Sequence, residues 1–120
     1  MLKRVLLLSV VAAVAIALGS CALFNKAPVV VVTYTPSDPW SGDTVYLDAG
    51  QSTDADGDAL TYAWSLAAIP PTSTTTIDSD TGSTTSFHTD ATGTYTVHLV
   101  VSDGTNDVPA DIDIEVTFAP

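Results

Sequence analysis

The sequence is poor in two residue types, and each scarcity narrows the problem. It has one cysteine, Cys21, in 120 residues. No intramolecular disulfide can form, so any fold must rest on its apolar core. It also has only three basic residues, and two of them, Lys3 and Arg4, stand at the very start. Beyond residue 20, Lys26 alone faces 14 acidic side chains, a formal charge of −13. Nucleic-acid binding rests on Lys and Arg neutralising phosphates, so that class is excluded. A basic patch on anionic lipid is excluded on the same ground. Clustered acids instead favour solubility and divalent cations.

Long apolar runs are confined to the start. Val5 to Leu18 is apolar except for Ser9. It is shorter than the roughly 20 residues a spanning helix needs. With Lys3 and Arg4 before it, the run reads as a secretory signal over residues 1–20. Leu18-Gly19-Ser20-Cys21 follows and resembles the bacterial lipobox, in which the cysteine thiol receives a diacylglycerol. The resemblance implies cleavage before Cys21, lipidation there and a membrane partner through the lipid. Ala22, rather than Asp, resembles the sorting signal for the outer membrane, so the expected location is the cell envelope, at the outer membrane or cell surface. Residues 21–27 then form a lipidated tether, and residues 28–118 a domain.

Within that domain no stretch has helical periodicity. Short apolar runs alternate with polar residues and are separated by turn residues. The expected strands are Val29–Thr35, Asp43–Ala49, Leu60–Leu66, Thr84–Thr89, Thr94–Ser102 and Asp111–Phe118, with a weak one in Ser73–Ile77. Leu60, Tyr62, Trp64 and Leu66 share one face; so do Tyr95, Val97, Leu99 and Val101, and Ile112, Ile114, Val116 and Phe118. Period-two alternation gives each strand one dry and one wet face. About seven such strands predict an all-β, immunoglobulin-like, two-sheet antiparallel sandwich.

Two segments carry a family resemblance. The first is Ser52-Thr53-Asp54-Ala55-Asp56-Gly57-Asp58, leading into Tyr62-Ala63-Trp64. The second is Gly93-Thr94-Tyr95-Thr96-Val97-His98-Leu99-Val100-Val101-Ser102-Asp103-Gly104. Both resemble the polycystic kidney disease (PKD) domain, over roughly residues 27–118. Ala55 stands where many members have Pro. The resemblance implies an extracellular spacer or binding module without catalytic activity. It also implies that Trp64 and Tyr95 are structural, as the core pillar and the corner of the sandwich.

Asp54, Asp56 and Asp58 are the leading site candidates. Alternate carboxylates around a glycine offer the hard oxygen ligands Ca2+ takes. In such a sandwich the loop carrying them, the loop after Ser102 and the start of the first strand share a pole. Asp103 and Asn25 therefore join the candidate calcium ligands. The competing reading is an acidic loop of solvated Asx turns. Trp40, in the turn Pro39-Trp40-Ser41-Gly42, belongs to the opposite pole and is a candidate partner anchor. His88 and His98 fall on the outward sides of their strands and lack the spacing of a metal or nucleophile site. The function expected is a non-enzymatic, lipid-anchored surface module that binds or spaces. The alternatives are an assembly subunit of an envelope complex or surface polymer, and an accessory carbohydrate binder using Trp40, Tyr34 and Tyr46.

Overall fold

Six strands in two antiparallel sheets build the domain in a computed structural model that describes residues 24–120. The expected signal segment and Cys21 lie outside the described residues. One sheet has the order β1 (Thr33–Thr35), β2 (Thr44–Asp48), β4 (Thr84–His88). The other has the order β3 (Thr61–Ala68), β5 (Gly93–Ser102), β6 (Asp107–Val116). Among the described residues there is no helix.

The alternation sets the packing. Val45, Leu47 and Phe87 point inward from the first sheet and meet Trp64, Tyr95, Leu99 and Ile114 from the second. The rings of Phe87 and Tyr95 lie 5.3 Å apart between centroids, a separation typical of favourable aromatic pairs. Trp64 is 3% exposed, and its indole N–H donates to the Gly82 carbonyl at 2.6 Å. Tyr95 is wholly buried. Its hydroxyl accepts from the backbone N–H of Ala91 at 3.0 Å and lies 2.9 Å from the Ala91 carbonyl, closing the corner before β5. Gly93 opens β5 with φ at 127°, and a Cβ there would sit 3.1 Å from Pro70 Cγ. Only glycine suits both constraints.

Three strand expectations are corrected. Ladder pairing of the first strand begins only at Thr33. Upstream, Val29 makes one bridge to Thr53, and the Val31 N–H is taken by the Ser52 hydroxyl at 2.9 Å. Four consecutive valines carry no alternation, and a side chain replaces the neighbouring strand as partner. Ser73–Ile77 forms no strand, because Asp90 captures the Ser73 hydroxyl at 2.5 Å and the Thr74 N–H at 2.9 Å. Ile77 alone bridges to Phe87. The last strand starts four residues earlier than expected, at Asp107, and ends at Val116. It is a sheet edge, where Pro109 is tolerated. Thr117 then leaves to pair with Trp40, and Phe118 turns out to 80% exposure.

Candidate functional site

The acidic pole is organised by the loop before β3. Asp54 Oδ1 accepts from the N–H of Asp56 at 2.8 Å and of Asp58 at 3.2 Å, while its own carbonyl takes the Gly57 N–H at 3.1 Å. Gly57 turns the chain with φ at 73°. This Asx-type turn draws the three side chains together, so that Asp54, Asp56 and Asp58 each bring a carboxylate oxygen within 4.8 Å of the others. Asp54 Oδ2 is buried without a hydrogen-bond partner among the described residues, a costly arrangement for a polar atom. Such a donor set fits a hard cation. Burial, followed by the charges of Asp54, Asp103 and Asp56, raises the pKa of Asp58.

Asp103 and Asn25 lie at the same pole but face each other. Asn25 Nδ2 donates to Asp103 Oδ2 at 2.8 Å. Asp103 Oδ1 accepts from the N–H groups of Asn106 at 2.6 Å and Thr105 at 2.9 Å. Led by the Asn106 bond, these donors lower the Asp103 pKa to about 2. Both Asp103 oxygens are thus committed to the loop and the tether. The oxygen trio comprises Asp54, Asp56 and Asp58; Asp103 holds the loop beside it. The Lys26 N–H adds a second clamp, donating to Asp56 Oδ2 at 2.7 Å.

Trp40 sits at the other end of β2. Its backbone is held by the buried Thr89, whose Oγ1 donates to the carbonyl of Trp40 at 2.9 Å or of Asp43 at 2.8 Å. The side chain is 44% exposed. Periodicity marks no role for Thr89, because one polar residue at a strand end carries no pattern.

The two outer faces differ. On the β5–β6 face three acids are paired across the strands: Asp111 with His98 Nδ1 at 2.5 Å, Asp113 with the Thr96 hydroxyl at 2.7 Å, and Glu115 with the Thr94 hydroxyl. On the β1–β2–β4 face lies an open groove of about 530 Å3. Tyr46, 58% exposed, forms its apolar surface. The register sets Tyr46 between Thr35 and Ser86, and Asp48 between Thr33 and Thr84. Asp78 closes one side through a 2.5 Å bond from the Ser86 hydroxyl. Tyr46 was visible in the sequence as an outward aromatic. Asp78 was not, since a loop outside the strand pattern delivers it. Tyr34, by contrast, lines the groove while packing against the core. His88 lies one register row beyond Ser86 and is exposed.

Comparison with known proteins agrees with this architecture. One solved chain, from work on the promiscuous specificity of carbohydrate-binding modules of the β-sandwich superfamily, aligns with TM-score 0.58 and 28% identity. The alignment covers 79% of this chain and 36% of that one. A nucleoside hydrolase-related hypothetical protein from Saccharophagus degradans, associated with carbohydrate metabolism, aligns with TM-score 0.55 and 24% identity over 79% of this chain and 26% of its own. The second likeness is one of fold alone. This chain therefore spans about a third and a quarter of these two proteins. No curated protein matches it. The family described as K319L-like, PKD domain matches residues 40–117, which takes in β2 to β6 and the Asp54–Asp58 loop, and the chain belongs to that family.

Proposed function

We propose that the protein is a non-enzymatic, lipid-anchored module of the bacterial cell envelope, held at Cys21 and presenting its sandwich for binding or spacing. The observation that carries this reading is the double clamp of Asn25 on Asp103 and of Lys26 on Asp56. Four residue steps separate Cys21 from Asn25, a reach of roughly 14 Å at most. A lipid on Cys21 would hold the acidic pole close to the bilayer and turn Trp40 and the far pole away from it. Trp40 is then a contact point for a partner.

Ca2+ belongs to the same proposal, with Asp54, Asp56 and Asp58 as its ligands. When bound, the cation supplies the positive charge that the three carboxylates lack. The orphaned Asp54 Oδ2 supports this. Beside the trio, Asp103 and Asn25 join the loop after β5 to the segment that follows Cys21 in the chain.

Fractionation of cells expressing Cys21→Ala tests the anchor. The parent should sediment with the envelope and resist high salt, whereas the variant should be released. A variant that still behaves as a membrane protein would contradict lipid anchoring at this residue.

A second reading, an accessory carbohydrate-binding module, is favoured by the Tyr46 groove together with the 28% identical carbohydrate-binding relative. A glycan array probed with the protein and with Tyr46→Ala tests it. Retention of one glycan class that disappears with the substitution is the expected result, and no retained glycan would contradict it.

A further inference from the structure

The geometry points to a ligand class for the β1–β2–β4 face: an oligosaccharide bearing free amines, laid across Tyr46 between Asp48 and Asp78. This rests on the carbohydrate reading above and narrows it. Three observations carry it.

The first is shape. Two register rows cross the face, Thr35–Tyr46–Ser86 and Thr33–Asp48–Thr84. Three strands spaced about 4.8 Å apart give a floor roughly 10 Å wide. That floor suits a short run of sugar rings better than a protein loop with a large side chain to bury.

The second is chemistry. An exposed phenol ring offers an apolar platform with a polar tip. Hydroxyls flank it on both neighbouring strands, at Thr35 and Ser86. Sugar rings present the complementary combination of apolar C–H faces and hydroxyl rims.

The third is charge. Asp48 spends Oδ1 on the Gly50 N–H, and Asp78 spends Oδ2 on the Ser86 hydroxyl. Among the described residues each carboxylate keeps its other oxygen without a partner. Among the described residues no Lys, Arg or His lines the groove, His88 standing one row beyond Ser86, so a uronate or sulfated chain meets two like charges there. An ammonium group finds charge-assisted hydrogen bonds at the carboxylates and the negative face of the Tyr46 ring. The opposite outer face lacks the platform: its acids stand beside His98, Thr96 and Thr94, and no exposed aromatic ring lies on β3, β5 or β6.

The test titrates the full chain in mild detergent, at mildly acidic pH, with three hexamers: β-1,4-linked glucosamine, its N-acetylated form, and galacturonic acid. The amine hexamer should bind at least tenfold more tightly than the acetylated one, and the uronate should not bind. Tyr46→Ala should abolish binding of both amino-sugar hexamers. Asp48→Asn with Asp78→Asn should abolish only the tenfold preference. Equal binding of amine and acetylated hexamers, or binding of the uronate, overturns the amine assignment and leaves the carbohydrate reading standing. No binding of any hexamer overturns the amine assignment, and the glycan array then decides the carbohydrate reading separately. If the preference disappears instead in Asp56→Asn Asp58→Asn, the amines sit at the acidic pole and the proposal fails. The thermal melt of each variant shows whether it is folded; the Asp48 and Asp78 variants keep the test decisive should Tyr46→Ala unfold.

Discussion

Asn25 Nδ2 lies 2.8 Å from Asp103 Oδ2, although 78 residues separate them in the chain. The bond joins the segment that follows the expected lipid site to the loop after β5. Asn25→Ala should therefore free the tether without unfolding the sandwich. Hydrogen exchange at the Val29 and Thr53 amides, which pair with each other just beyond the clamp, should quicken. Exchange in β5 should be unchanged. Unaltered exchange at Val29 would show that the clamp does not order the tether.

Asp58 bears on the cation proposal. Its folded pKa is raised, first by burial and then by Asp54, Asp103 and Asp56. A carboxylate with a raised pKa binds protons more readily folded than unfolded, so its charge lowers stability at neutral pH and the loss is relieved as pH falls through the folded value. In chelator at neutral pH, Asp58→Asn should melt above the parent. Millimolar Ca2+ should raise the parent's melting temperature, since binding only the folded state stabilises it. Mg2+ at equal ionic strength should do less, and Asp56→Asn Asp58→Asn should lose the calcium effect. Equal shifts with both ions would reduce the effect to charge screening.

Asp90 should govern the acid side of the stability profile. Bonds from the Ser73 hydroxyl, then the Thr74 N–H, lower its pKa from 3.8 to about 2. A lowered carboxylate pKa stabilises the fold fully above the unfolded value, and that contribution is lost as pH falls from there through the folded value. Asp90→Asn should therefore melt below the parent at neutral pH, with the gap closing as pH falls from about 3.8 towards about 2. A gap that does not depend on pH would assign the loss to geometry alone.

Core truncation should be severe. Trp64 is 3% exposed and packs among residues of both sheets. Trp64→Ala should cost about 3–5 kcal/mol, against a total of roughly 5–15 kcal/mol for a typical domain. Urea denaturation followed by circular dichroism measures this. Coincident midpoints would contradict the placement of Trp64 in the core.

Legibility in the sequence followed periodicity. Tyr95, Val97, Leu99 and Val101 announce β5 because every second residue faces the core, and all four are wholly buried. Val29–Val32 lacks that signal, and the Ser52 hydroxyl decides its hydrogen bonding. Pro109 concealed the start of β6, since only the edge position makes a proline acceptable there. Phe118 fits the alternation but leaves the sheet when Thr117 pairs with Trp40. At the acidic pole, the spacing of Asp54, Asp56 and Asp58 was enough to bring three carboxylates together. The commitment of Asp103 to Asn25, Thr105 and Asn106 depends on which N–H groups the loop aims at it, and spacing does not encode that. The Tyr46 groove needed Asp78, which reaches the face only after the loop before β4 has folded.

The central claim, a PKD module tethered by lipid at Cys21, is tested most directly by intact mass spectrometry of the protein purified from the envelope. The account predicts a chain beginning at Cys21, without residues 1–20, whose N-terminal residue carries the mass of a diacylglycerol. A mature chain beginning elsewhere, or one with a free Cys21 thiol, would contradict it.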